Sequence, residues 1–97
     1  MNAKFEVDST FLITGRGLVL AGWLLEGKVK PDMIASIPSF PGKMTVQGIE
    51  LITAEGLRPG MIGILFPFGS EHNILSWKAL DIKGLVIDIL DIEESPS

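Results

Sequence analysis

Apolar and polar residues alternate along the first part of the chain. Phe5, Val7, Ser9, Phe11 and Ile13 fall in one phase, and mainly charged or hydroxyl-bearing residues stand between them. A period of two is typical of a half-buried β-strand. The pattern therefore predicts a first strand that turns the phase of Phe5 and Ile13 toward the core.

The next segment, from Gly17 to Leu25, is almost wholly apolar in both phases. It follows Gly15-Arg16-Gly17, whose two glycines can adopt positive φ and allow the chain to reverse between paired strands. Because both faces of this second strand are apolar, we expect it to be central in its sheet or to meet a partner with its outer face. A phosphate-binding turn would need a third glycine and a following helix.

Further short strands are predicted between turns rich in proline and glycine. They cover residues 33–37, 43–53, 61–66 and 84–92. The alternation changes phase at Gly48, and a β-bulge is the expected reason. Residues 69–80 could form a short helix, but a loop with one helical turn is the preferred interpretation. Six or seven short strands predict an all-β fold, a small closed antiparallel β-barrel with a sandwich as the alternative.

Length and cysteine content narrow the class of protein. A chain of 97 residues has room for one core, so we expect one barrel domain over residues 1–92 and an acidic tail over 93–97. The lack of cysteine excludes disulfides, thiolate metal sites and cysteine nucleophiles. No basic region precedes a long apolar stretch, and the longest apolar run is shorter than the ~20 residues of a membrane helix. A cytoplasmic protein without membrane contact is expected.

The distribution of charge weighs against nucleic acid as the main partner. The net charge is −4, and acidic and basic residues balance over residues 1–80, so the excess lies in residues 81–97. A negative end repels phosphate. The lone histidine, His72, has no identifiable partner for acid–base or nucleophilic chemistry and no metal-ligand spacing around it. We therefore expect no catalytic residue, no metal and no cofactor.

Four motifs occur along the chain in an order that resembles a known domain. They are ITGRGLVLAG at 13–22, TVQGIEL at 45–51, LRPG at 57–60 and IKG at 82–84. Together they are similar to the second, β-barrel domain of the translational GTPases, such as elongation factor Tu. The similarity covers residues 5 to about 90 in unbroken order. No phosphate-loop motif occurs in the sequence, so a free-standing barrel without nucleotide hydrolysis is expected.

The resemblance implies both a fold and a candidate binding pocket. In family members the barrel packs on the GTPase domain and contacts the acceptor end of aminoacyl-tRNA or ribosomal RNA. Carried over by motif, the pocket for the terminal adenosine would comprise Leu24, Val29, Glu50 and Leu65. The chain departs from the family at Trp23, which stands where the family pattern has an arginine.

The function expected from these observations is that of a non-catalytic binding module. It would dock a protein partner, or a second copy of itself, through the apolar strand Leu18–Leu25 and neighbouring loops. An RNA-contacting module is the alternative, and a small-ligand-binding protein or enzyme built around His72 is the second alternative. The candidate partner contacts are Arg16, Trp23, Lys28, Lys30, His72 and Trp77.

Overall fold

The computed structural model describes residues 2–13, 15, 17–38, 40, 44–51, 60–67 and 71–91, with residues 71–73 described by their backbone alone. Within this part of the chain the elements are β1 (Ala3–Ile13), β2 (Gly17–Glu26), β3 (Ile34–Ser36), β4 (Met44–Thr45), β5 (Gly48–Leu51), β6 (Ile62–Phe66), α1 (Glu71–Lys78) and β7 (Val86–Leu90). The strands form one curled antiparallel sheet in the order β4-β3-β7-β1-β2-β6-β5. The predicted all-β, barrel-like fold is confirmed, although the barrel is not fully closed.

The two edges of the sheet, β4 and β5, are consecutive in the chain. The Val46 N–H donates to the Met33 carbonyl at 2.8 Å, and the Gln47 N–H donates to the Leu65 carbonyl at 2.7 Å. The chain thus passes from one edge to the other within two residues, but no ladder pairs β4 with β5 among the described residues. The change of phase near Gly48 therefore arises because the chain exchanges β3 for β6 as its partner, and the β-bulge predicted there is wrong.

The hairpin predicted at Gly15 and Gly17 is confirmed. The β1–β2 ladder ends at the pair Ile13 and Gly17, and the two glycines have φ of 82° and 145°. A side chain at Gly17 would also collide with the Phe66 carbonyl of β6. Strand β2 lies between β1 and β6, so its apolar character on both faces reflects a central position.

Strand β1 turns different phases toward the core in its two halves. Phe5 and Val7 are buried, but the register with β2 shifts between Val7 and Ser9, which leaves Asp8 as an extra residue. Such a bulge reverses the alternation because successive side chains point to opposite faces. Phe11 is consequently 41% exposed. The prediction that one phase faces the core along the whole strand is wrong beyond Val7.

Helix α1 corrects the loop predicted over residues 69–80. It contributes Trp77, which is fully buried and packs edge-to-face on Phe40 and Phe66, with ring centroids 5.5 and 5.7 Å away. These ring contacts pack the helix against the core, although its own sequence pattern is only weakly amphipathic. Trp77 is thus part of the core and is not accessible as the partner contact that the sequence suggested.

The helix also covers a strand edge. Strand β7 pairs with β1 only over Ala3–Glu6. Among the described residues, no strand lies on that side of the later part of β1. The Trp77 indole N–H donates to the Phe11 carbonyl at 3.2 Å. Covering an edge with a helix is one way in which proteins protect unpaired strands.

Candidate functional site

The outer face of β2, where docking was predicted, is largely covered by the chain itself. Val19 and Ala21, which point away from the core, are only 5% and 1% exposed. Apolar side chains of β2 become accessible only at its end, where Leu24 and Leu25 are exposed. The middle of this strand therefore offers little area to a partner.

Strand β7 differs from β2 because its outer side is exposed and mainly apolar. Ile87 and Ile89 point into the core and are buried. Between and beside them, Val86 and Leu90 are 50% and 40% exposed, and Asp88 is exposed as well. Two of the three outward positions of this strand are thus accessible apolar side chains.

Neighbouring strands extend this outer surface. Lys4 of β1 lies opposite Asp88, and Ile34 of β3 lies opposite Leu90; residues directly opposite in an antiparallel ladder share a face. The Lys4 Nζ is 3.5 Å from the Asp88 Oδ1, and both side chains are more than half exposed. We call the surface formed by Lys4, Ile34, Val86, Asp88 and Leu90 the β7 face.

The four pocket residues implied by the family resemblance are only partly brought together. Glu50 and Leu65 lie on adjacent strands and on one face of the sheet, two positions apart in the ladder. Leu24 lies opposite the buried Phe5 and so belongs to the other face. Val29 packs against the core from the segment after β2.

The remaining candidate contacts occupy several surfaces. Lys28 and Lys30 are both exposed after β2, and Trp23 is half-buried. Arg16 lies outside the described residues, as does the side chain of His72. Of the candidate contacts that the structure describes, Lys28 and Lys30 are the exposed basic side chains.

The described residues contain neither of two further kinds of site, a metal-binding cluster and a membrane-spanning helix. No group of three or more histidines and carboxylates there could hold a metal ion. The described helix is also too short and too polar to cross a membrane.

Comparison with protein families, curated proteins and solved structures gives no match to this chain. In the geometry of the chain, the β7 face is the candidate site, because it combines accessible apolar side chains with an exposed ion pair.

Sequence reasoning did not identify Val86, Leu90 and Ile34 as surface candidates. The signal available was that β7 reads VIDIL, so apolar residues occupy both phases and Asp88 is its one polar residue. The position of Ile34 beside Leu90 depends on the pairing of β3 with β7, which are about fifty residues apart in sequence. That pairing is not visible in the pattern of either strand.

Proposed function

We propose that this chain is a non-catalytic binding module, built on a barrel of the translation-factor type, that docks another protein molecule through the β7 face. The supporting observation is the exposure of Val86 and Leu90 on either side of Asp88. Interfaces are commonly centred on apolar side chains that exclude water from nearby polar contacts. We also propose that the protein is located in the cytoplasm.

A second copy of the chain is the proposed occupant, because it fits the ion pair between Lys4 and Asp88. Lys4 and Asp88 lie side by side, so a two-fold rotation would bring Lys4 of each copy toward Asp88 of the other. Such an isologous contact is self-complementary. The face spans three strands, about 15 Å across, which is small for a stable dimer. We therefore expect weak, concentration-dependent association.

Charge reversal tests this arrangement by analytical ultracentrifugation. In Lys4→Glu, residues 4 and 88 are both negative, and in Asp88→Lys they are both positive. Each variant alone should therefore dimerise roughly tenfold or more weakly than the unaltered chain. An equimolar mixture of the two variants should form a heterodimer, because opposite charges again face each other. Lys28→Glu, an exposed charge change outside the β7 face, is the matched control.

Two results would separate the parts of the proposal. A chain that stays monomeric at its highest soluble concentration, with no heterodimer in the mixture, would exclude the second copy as occupant. Binding of a different protein that survives both Val86→Lys and Leu90→Lys would exclude the β7 face itself.

A titration with tRNA at low salt tests the alternative of an RNA-contacting module. It should show no binding that depends on Lys28 and Lys30.

A further inference from the structure

A cleft opens at the point where β1 and the segment leading into β7 separate. The backbone of Val7 still pairs across the gap: its N–H donates to the Leu85 carbonyl at 2.9 Å, and its carbonyl accepts from the Gly84 N–H at 2.7 Å. The chain then turns away, with the Leu85 N–H donating to the Ile82 carbonyl at 3.0 Å and Gly84 at φ 86°. Beyond Val7 the two segments no longer form a ladder in the described residues.

The cleft has the size of a small metabolite. Its volume is about 210 Å³, and it is lined by residues 7–10 and 80–83. Val7 and Ile82 are buried, so apolar atoms contribute to its wall, whereas its other lining residues are mainly polar or charged.

Charges of both signs line this cleft. The lining residues include the aspartates Asp8 and Asp81, the lysine Lys83 and the hydroxyl-bearing residues Ser9 and Thr10. Among the described residues, no ion pair joins Lys83 to either aspartate.

The β-bulge of β1 coincides with the cleft. Asp8 is the extra residue in the register with β2, and it is half-buried although it carries a charge. Bulges often redirect a side chain beside a functional site. The bulge in β1 and the cleft therefore lie at the same place in the fold. The alternating sequence pattern of β1 does not require a bulge there.

We propose that this cleft binds a small zwitterion of the free amino acid class. Its ammonium group would be bound by Asp8 and Asp81, and its carboxylate by Lys83. A ligand with one charge could pair either with the two aspartates or with Lys83, whereas a ligand with both charges could pair with all three residues at once, so it matches the lining best. This proposal does not depend on the β7 face.

A two-dimensional ¹H–¹⁵N NMR titration of the full chain tests the proposal, with L-alanine as the probe. Saturable shifts are expected for the amides of residues 8–10 and 80–84. Propylamine and propionate, which carry one charge each, should bind at least about tenfold more weakly. Asp8→Asn and Lys83→Gln should each weaken alanine binding by a similar factor, and Lys78→Gln, an exposed change on α1, should leave it unchanged.

Three outcomes would overturn the proposal. The first is the lack of saturable shifts with alanine in a chain whose spectrum is that of the folded protein. The second is equal binding of propylamine and alanine, which would mean that the carboxylate is not recognised. The third is alanine binding that both Asp8→Asn and Lys83→Gln leave intact, which would locate the ligand elsewhere.

Discussion

The two halves of β1 have a similar sequence pattern but different surroundings. Residues Lys4–Glu6 are paired with strands on both sides, β7 and β2, whereas Ser9–Ile13 are paired with β2 alone within the described part of the chain and lie beside helix α1. The buried phase changes between the two halves at Asp8. Alternation thus indicates that a segment is a strand, but the elements beside it determine which side chains become buried.

The largest expected effect is a difference in unfolding free energy between variants of two phenylalanines, Phe5 and Phe11, that occupy the same phase of the sequence pattern. Phe5 is fully buried and Phe11 is 41% exposed. Phe5→Ala should lower the free energy of unfolding by about 3–5 kcal/mol, because it removes a buried ring and leaves a cavity. Phe11→Ala should lower it by only about 1 kcal/mol, since much of its surface already contacts water. Urea unfolding followed by circular dichroism measures both changes.

Equal losses for the two variants would contradict the change of phase at Asp8. The slope of the unfolding free energy with urea serves as the control, because a changed slope would report an altered denatured state rather than lost packing. With unchanged slopes, the difference between Phe5→Ala and Phe11→Ala measures how differently the two halves are packed.

The next effect concerns Gly22, where the backbones of β1 and β2 leave no room for a side chain. A Cβ at Gly22 would collide with the backbone carbonyl of Glu6 and come 3.0 Å from the Phe5 ring, whereas a Cβ at Gly48 would meet nothing within 4 Å. Gly22→Ala should therefore cost about 2–3 kcal/mol of unfolding free energy through overpacking. Gly48→Ala is the matched control and should change stability by no more than about 0.5 kcal/mol.

Thermal unfolding of both variants provides the measurement. A Gly22→Ala variant as stable as the unaltered chain would mean that β1 can move away from β2 at no cost. Such a movement would begin beside the bulge at Asp8, because Gly22 is paired with Val7.

Much of the sheet could be predicted from local patterns, and its exceptions have physical causes. Turn glycines and short apolar runs located the hairpin at Gly15 and Gly17 and the strands that follow. The helix over Glu71–Lys78 was missed because its stability comes from burying Trp77 against distant rings, not from its own amphipathic pattern. The partner exchange near Gly48 was missed because the pairing of each short strand is a long-range property.

The candidate site could be predicted less well than the fold. The apolar run of β2 suggested an exposed face, but a central strand is also apolar on both sides, and the structure shows the second case up to Gly22. The β7 face needs three strands that are distant in sequence. A surface assembled by long-range pairing leaves no contiguous signal in the chain.

The smallest effect tests how α1 stabilises the later half of β1. Trp77→Phe keeps an aromatic ring against Phe40 and Phe66 but removes the indole N–H that donates to the Phe11 carbonyl at 3.2 Å. A part-buried carbonyl without its donor costs about 1–2 kcal/mol. Phe40→Leu is the control, because it removes an aromatic contact with Trp77 and leaves that hydrogen bond in place.

Amide hydrogen exchange measures the effect. It should quicken across residues 9–13 in Trp77→Phe but not in Phe40→Leu, while exchange over residues 3–7 stays unchanged in both. Faster exchange in both halves would mean that the helix supports the whole strand, and the distinction between the halves would then be one of side-chain phase alone.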